Sequence, residues 1–317
     1  MDVIPKLPAN LYKNLASSKW KERKEALDDL STLLKASLRI RDGPEIAELA
    51  KSLATRINGD ANVMCVIVAA NCLEALADGL MTAFSRHREA VVPPVLERLK
   101  ERKANVTDAI GLALDAIFKT VSPNARLSST VSSIVKSNLG DILGDVTPAL
   151  SSKNPQVKEG SLRFLIRCLS TSPTPIQPGQ TKPLSEQLAT LLEDSSEGAR
   201  NEAATALGTL MRMVGERPLN GIMDGLPDVR KSKVKEAYEK ATVKAKAGAP
   251  GLSKPPGPPP TKGPSQKKPT SKKVLLKEEP MAPSEDALDS FNEPPKAVKK
   301  PPVRSIVSSH LIYRGNR

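Results

Sequence analysis

The fold of this chain is decided at Ser17-Ser18-Lys19-Trp20-Lys21-Glu22-Arg23-Lys24-Glu25-Ala26-Leu27, where a short connector becomes a charged amphipathic helix. The stretch holds the only tryptophan of the sequence, and later junctions repeat its pattern. The junctions recur at intervals of 40, 43, 51 and 42 residues when they are aligned on Arg23, Val63, Val106, Val157 and Ala199. The chain therefore contains an internal repeat of about 40–47 residues.

Two helices per repeat of this length are typical of HEAT and armadillo solenoids. Capping side chains before each second helix support this interpretation, and they are predicted to be Asp60, Asn154, Ser196 and Asp228. A sixth, shorter unit is predicted to run from Asp228 to about Lys246. Positions four and seven beyond each alignment point are apolar or small, which gives every second helix one buried face. The sequence predicts an all-α protein, an α-solenoid of six HEAT-like helix pairs.

The first helices of the pairs are less regular. Gly43-Pro44-Glu45 predicts a helix start, whereas Pro93-Pro94 is predicted to kink or restart a helix over 86–102. The long third interval is predicted to hold helices over 127–139 and 141–150, and the proline-rich stretch 173–178 is predicted to be a loop.

Composition divides the chain into two parts. Fourteen of the 28 prolines lie between Pro250 and Pro302, and residues 247–317 carry thirteen Lys/Arg against six Asp/Glu. Such a segment buries too little apolar surface to offset its ordering entropy. We expect a helical domain over 1–246 followed by a disordered, basic Pro/Lys/Ser-rich extension over 247–317. The net charge of +13 for the whole chain predicts an acidic partner.

Little in the sequence indicates catalysis, and no cofactor is expected. His87, flanked by arginines, is predicted to lie on the surface, and the other histidine, His310, falls in the extension. Cys65, Cys72 and Cys168 form no metal-binding pattern and are predicted to be buried thiols. No signal peptide is visible, and no apolar run is expected to reach the roughly 18 residues of a membrane span. We expect a soluble intracellular protein.

Equivalent turns of a stacked solenoid line one edge. That edge would carry Trp20, Lys21, Arg23, Asp60, Asn62, Lys103, Asn105, Lys153, Asn154, Glu197 and Arg200. Asp60, Asn154 and Ser196 could act only as helix caps, and Lys158 and Arg200 only as internal pairing partners. Lys103 and Lys153 could belong to an ordinary solvated face. Trp20 could equally fill a gap beside the first unit or act as a binding hot spot.

Several stretches resemble the TOG domains, the tubulin-binding modules of microtubule polymerases, and most closely the second TOG domain of that family. The resemblance begins with Lys19-Trp20-Lys21-Glu22-Arg23-Lys24-Glu25-Ala26-Leu27 and spans roughly 1–246. It continues in Asp60-Ala61-Asn62-Val63-Met64, the stretch 91–103, Lys153-Asn154-Pro155-Gln156-Val157-Lys158, Arg200-Asn201-Glu202-Ala203 and the stretch 233–240.

The resemblance implies a flat paddle whose turn edge binds one αβ-tubulin heterodimer, in its curved and unpolymerised form. It implies contacts to β-tubulin from the first three turns and to α-tubulin from the fourth and fifth. The implied contact residues are Trp20, Lys21, Asp60, Ala61, Asn62, Val63, Lys103, Asn105, Lys153, Asn154 and Arg200. It also implies a location in the cytoplasm on the cytoskeleton, at microtubule plus ends, the spindle, spindle poles and kinetochores.

The chain departs from the family pattern because it has one TOG domain rather than several and no heptad segment that would form a coiled coil. We expect one domain to bind tubulin but to be weak in processive polymerisation. The basic extension is expected to contact the acidic microtubule surface or to act as a tether.

Two other functions compete with this interpretation. One is a scaffolding α-solenoid of the nuclear-transport or phosphatase type, which would bind another acidic protein through its inner helices. The other is nucleic-acid binding, which the scarcity of aromatic side chains and the interspersed acidic residues disfavour. No contact with nucleic acid or membrane is expected.

Overall fold

The computed structural model describes residues 2–121 and 139–245. The predicted extension 247–317 and nearly all of the predicted helix 127–139 lie outside the described residues. Within the described ranges the chain is helical, with no strand.

Twelve α-helices follow one another in these ranges: α1 Leu11–Leu15, α2 Trp20–Lys35, α3 Pro44–Gly59, α4 Val63–Leu80, α5 Arg88–Glu97, α6 Ala104–Val121, α7 Leu139–Leu150, α8 Pro155–Thr171, α9 Pro178–Leu191, α10 Glu197–Val214, α11 Asn220–Asp224 and α12 Asp228–Lys240. Short 3₁₀ helices lie at Ile4–Lys6, Met81–His87, Arg98–Lys100 and Arg217–Leu219. Each odd-numbered helix is followed by the even-numbered helix of its pair, and the two helices of each of the first five pairs pack against each other. The predicted six helix pairs are confirmed, although α12 ends at Lys240 rather than near Lys246.

The even-numbered helices pack side by side in chain order, from α2 to α12, and form one layer of the solenoid. The odd-numbered helices form the second layer, where α5 contacts both α3 and α7. In α2 the side chains of Leu27, Leu30 and Leu34 are fully buried, as their three- and four-residue spacing on one helical face predicts. Every repeat thus buries its apolar face between neighbours, and the six repeats share one continuous core.

Among the helix starts whose caps the structure describes, three are capped by a side chain. Asn62 accepts from the amide of Met64, Asn154 from that of Gln156, and Ser196 from that of Ala199. The prediction that Asp60 and Asp228 are caps is wrong. Asp60 lies two residues before the true cap Asn62, and Asp228 is already the first residue of α12.

Some prolines lie at helix starts, whereas Pro148 and Pro183 lie inside α7 and α9. Pro44 opens α3, as predicted, because the amide of a first-turn residue has no acceptor within the helix and its loss costs little. Pro93 and Pro94 do not restart the helix, since α5 is continuous through both. This helix is short and lies between two 3₁₀ helices, so the two prolines can interrupt only a few of its backbone hydrogen bonds. Residues 172–177 form the predicted loop before α9.

His87 is not a surface residue, because its side chain is only 10% exposed and its Nε2 lies 2.8 Å from Oδ1 of Asp42. The three thiols are buried as predicted. Burial raises the pKa of Cys72 to about 12 and also raises that of Cys168.

The prediction that no apolar run reaches the length of a membrane span is wrong for one stretch. Val63–Lys100 has the length and composition of a membrane span among the described residues, and more than half of its most apolar part is buried inside the protein. A core helix of a soluble protein passes the same test, so this stretch is weak evidence for a membrane segment.

Candidate functional site

Six turns connect the helices within the pairs. Turn 1 is 16–19, turn 2 is 60–62, turn 3 is 101–103, turn 4 is 151–154, turn 5 is 192–196 and turn 6 is 225–227. Because the even-numbered helices pack side by side, their first residues and these turns lie along one edge, which we call the turn edge.

Side-chain contacts link neighbouring turns and confirm that they are adjacent. Nη1 of Arg98, just before turn 3, donates to the carbonyl of Asn58 beside turn 2 over 3.1 Å. Nε2 of Gln187, on the helix that leads into turn 5, donates to Oγ of Ser151 in turn 4 over 3.2 Å. Nε of Arg230, just after turn 6, lies 3.2 Å from Oε1 of Glu193 in turn 5.

The seam between turns 3 and 4 is made by close apolar contact. A Cβ placed on Gly160, in the second turn of α8, would lie 2.9 Å from the Cβ of Leu99. A distance that short requires a residue without a side chain, so glycine at this position lets turn 3 approach α8. The same seam holds an open groove of about 640 Å³ between α6 and α8, lined in part by Leu112 and Asp115.

Trp20 is the first residue of α2 and is 42% exposed. It is absent from the hydrophobic core, so it does not plug the end of the solenoid. Its helix start is fixed by neighbours: Oγ of Ser17 accepts from the amide of Lys19 and donates to Oε2 of Glu22 over 2.6 Å. The indole therefore projects from a rigid turn at one end of the turn edge.

Turn 2 adds a second apolar contact point, which the sequence analysis missed. Met64, two residues after the cap Asn62, is 47% exposed, and Ala61 just before the cap is exposed as well. Asn62 and Val63 are half-buried, because the Asn62 side chain is occupied in capping α4. The only feature of the sequence that could have indicated this contact point was a long apolar side chain at the second position of a core-facing helix.

The predicted basic positions are accessible. Lys21, Lys103 and Lys153 are all exposed, and Asn105 is exposed beside turn 3. Asn154 is half-buried and caps α8, so its side-chain oxygen is already committed. The exposed side of turns 1, 3 and 4 is therefore positively charged.

Asp60 does not belong to this exposed set, because its side chain is fully buried. Nε and Nη2 of Arg23 each lie 2.7 Å from a carboxylate oxygen of Asp60, and the Arg23 side chain is only 10% exposed. Burial by itself raises the pKa of Asp60, but hydrogen bonds from Arg23 and from the Asn62 amide outweigh it, and the pKa is lowered. The predicted role of Asp60 in contacting a partner is replaced by an internal one.

Arg200 is half-buried and mainly stabilises its own turn. Its Nη1 donates to the carbonyls of Asp194 and Ser195 over 2.8 and 2.9 Å. Lys158 is paired with the carboxylate of Asp194, so the internal-pairing alternative for Lys158 is confirmed.

The turn edge has the features of a binding surface. The described residues hold no group of His, Cys, Asp and Glu side chains that could bind a metal ion. What the turn edge offers is two half-exposed apolar anchors followed by lysines, on backbone held by caps and ion pairs. Exposed aromatic side chains on rigid backbone bury much area at a small entropic cost.

Comparison with known proteins agrees with this geometry. A family model described as XMAP215/Dis1/CLASP, TOG domain, matches residues 6–238. The spindle pole body component alp14 of Schizosaccharomyces pombe is 37% identical over 247 residues, which are 78% of this chain and 28% of alp14. The protein mini spindles of Drosophila melanogaster is 34% identical over 251 residues, which are 79% of this chain and 12% of that protein. The chain thus spans less than a third of the length of either relative.

Two solved structures share the fold. One comes from work on the "Structural Basis of Microtubule Plus End Tracking by XMAP215, CLIP-170 and EB1"; it is 32% identical, with a TM-score of 0.68, over 78% of this chain and 96% of that chain. The other comes from work on "Tubulin Recruitment and Assembly by Microtubule Polymerases"; it is 30% identical, with a TM-score of 0.65, over 77% of this chain and 48% of that chain.

Proposed function

The chain belongs to the XMAP215/Dis1/CLASP family of TOG domains, and we propose that it binds the αβ-tubulin heterodimer through its turn edge. In this proposal it serves as a module of a plus-end microtubule polymerase and promotes microtubule growth without catalysing a reaction. The relationship to a spindle pole body component and to mini spindles supports a location on the cytoskeleton and the spindle. We extend this to microtubule plus ends and kinetochores.

The observation that carries the proposal is the exposed indole of Trp20 at the end of a row of basic turns. We propose that residues of the first three turns contact β-tubulin and that the newly identified Met64 is one of them. The set is Trp20, Lys21, Ala61, Asn62, Val63, Met64, Lys103 and Asn105. Lys153, Asn154 and Arg200 then contact α-tubulin. Tubulin is acidic, so exposed lysines on turns 1, 3 and 4 match its charge.

A rigid row of contacts fits two tubulin subunits in one relative orientation better than in another. We therefore propose that the curved, free heterodimer is preferred over the straight lattice. Binding of the free heterodimer that is no tighter than binding to intact microtubules would contradict this preference.

We propose that the binding domain covers 1–246 and that the basic extension 247–317 contacts the microtubule surface. After α12 the chain turns back, and the amide of Lys244 donates to the carbonyl of Ser170 at the far end of α8. The last described residues therefore lie near the end of α8 that is opposite the turns. Its contribution to microtubule binding is expected to weaken as salt rises.

Trp20→Ala tests the proposed contact, with Tyr12→Ala as a matched control. Tyr12 is also 42% exposed, but it lies within α1 rather than at a helix start on the turn edge. Gel filtration with purified tubulin at two salt concentrations is the measurement. We expect Trp20→Ala to weaken binding by about 30-fold or more, as for an interface hot spot, and Tyr12→Ala to leave it unchanged.

The same measurement tests the competing scaffold function. A scaffolding solenoid that binds through its inner helices would be indifferent to Trp20. Co-elution of Trp20→Ala with tubulin as complete as that of the wild type would therefore refute the turn edge as the contact surface.

A further inference from the structure

Two ion pairs occupy equivalent positions at the turn edge. Arg23 is the fourth residue of α2 and pairs with Asp60 in turn 2; Lys158 is the fourth residue of α8 and pairs with Asp194 in turn 5. Each acidic residue lies two residues before the cap of the following helix. In both cases the start of one repeat's second helix is joined to the turn of the next repeat.

Each carboxylate also organises the backbone of its turn. Oδ1 of Asp60 accepts from the amide of Asn62 over 2.8 Å, and Oδ1 of Asp194 accepts from the amide of Ser196 over 2.8 Å. Oδ1 of each carboxylate thus binds the amide of the cap residue in its own turn. The ion pair of the same carboxylate joins this turn to the neighbouring repeat. The lowered pKa of both acids agrees with a carboxylate stabilised by these donors, against the opposing effect of burial.

At each ion pair, an arginine also donates hydrogen bonds to backbone carbonyls of a turn. Nη1 of Arg23 donates to the carbonyls of Ser17 and Ser18 in turn 1 over 2.9 and 3.1 Å. Arg200 does the same in turn 5 with the carbonyls of Asp194 and Ser195. Turns 1 and 2 are thereby linked through Arg23, and turns 4 and 5 through Lys158.

The seams on either side of turn 3 lack this arrangement. The fourth residue of α4 is Val66 and that of α6 is Thr107, and neither can form an ion pair. In turn 3 itself, Glu101 pairs with Arg98 of its own repeat, and Arg98 contacts the region of turn 2 through the carbonyl of Asn58 rather than through an ion pair. Small open clefts of about 270 and 240 Å³ lie within the two linked pairs, between α1 and α3 and between α7 and α9, and Lys158 and Asp194 line the second cleft.

We propose that Asp60 and Asp194 are positioning residues that couple neighbouring contact turns, so that the turn edge binds through two rigid pairs, turns 1–2 and turns 4–5. This rests on the proposed function, because it assigns one rigid pair to each tubulin subunit and leaves turn 3 between them. Preorganised turns lose less entropy on binding than turns that must be ordered by the partner. Neither acid touches the partner, since Asp60 is buried and Asp194 faces Lys158.

Lys158→Met tests the coupling in the intact chain, because it removes the cation with little change in side-chain volume. Lys158→Arg is the conservative rescue, since Arg23 already fills the equivalent position at the other pair. Arg163→Met is the matched control: Arg163 also joins α8 to α10, through Oε1 of Glu202 over 2.7 Å, and it is connected to turn 5 only through a 3.9 Å contact with Glu159.

The first measurement is hydrogen exchange in the free protein, followed by NMR at the Ser196 amide. We expect Lys158→Met to speed this exchange by about 10-fold, the effect of weakening one charge-assisted hydrogen bond. Lys158→Arg and Arg163→Met are expected to leave it unchanged. Unchanged exchange in Lys158→Met, or an equal increase in Arg163→Met, would overturn the proposed coupling.

The second measurement is tubulin affinity of the same variants. We expect Lys158→Met to weaken binding about 3- to 10-fold, from the cost of ordering turn 5 on association, and Lys158→Arg to restore it. Faster exchange in Lys158→Met with no tubulin binding by the wild type would refute the proposed function and leave the positioning role standing. Faster exchange with full affinity would refute the role of turns 4–5 as a preorganised contact.

Discussion

Asp60→Ala is expected to be among the most destabilising single substitutions at the turn edge. It would leave the Arg23 guanidinium, 10% exposed, without the two 2.7 Å contacts to the carboxylate, and the Asn62 amide without its acceptor. Removing one partner of a buried ion pair costs about 3–5 kcal/mol, and an orphaned amide adds about 1 kcal/mol. The expected loss, about 4–6 kcal/mol, is a large fraction of the roughly 5–15 kcal/mol that stabilises a domain.

Urea unfolding monitored by circular dichroism measures this loss. We expect the midpoint of Asp60→Ala to fall by about 1–2 M. The double variant Arg23→Met with Asp60→Ala is expected to lose less than the sum of the single losses, because it leaves no unpaired buried charge. A loss below about 1 kcal/mol in Asp60→Ala, or strict additivity in the cycle, would refute the reasoning that the pair is a coupled internal contact.

The same pair predicts a direction for the pH dependence of stability. The pKa of Asp60 is lower in the folded chain than its ordinary value of 3.8, so unfolding is accompanied by proton uptake in acid. Its stabilising contribution is therefore fully present above its ordinary pKa and is lost as pH falls through the lowered folded value. Asp60→Ala is expected to flatten the decline in the free energy of unfolding below about pH 4. A decline as steep as in the wild type would contradict this.

Three further outcomes are expected. Asn154→Ala removes the cap of α8 and is expected to lower the free energy of unfolding in urea by about 1 kcal/mol; no change would show that water replaces the cap. Gly160→Ala forces the Cβ against Leu99 and is expected to cost about 1–3 kcal/mol, whereas Gly144→Ala, with nothing within 4 Å of its Cβ, is expected to raise the thermal midpoint. Equal effects of the two alanines would contradict the close contact. Cys72, whose pKa burial raises to about 12, is expected to resist a thiol reagent at pH 8 until the chain unfolds.

The sequence predicted the repeat architecture because each second helix must bury the same face against its neighbours. The spacing of Leu27 and Leu30 already defines that face, and both side chains are fully buried. Caps were predicted less well, since Asp, Asn and Ser side chains are chemically interchangeable at the end of a turn. The positions of Asp60 and Asn62 differ by two residues, and only backbone geometry decides which of them caps α4.

The turn edge shows the same division between local and tertiary information. Sequence determined that Trp20, Lys103 and Lys153 stand at equivalent turns, because the repeat period alone brings such turns to one edge. Whether a side chain at that edge faces solvent or a neighbouring repeat depends on contacts about 37 residues away, as between Arg23 and Asp60. Tertiary packing buried Asp60, because the register between adjacent repeats, which no local pattern encodes, decides which charges meet. Arg200, by contrast, binds its own turn through local contacts with Asp194 and Ser195.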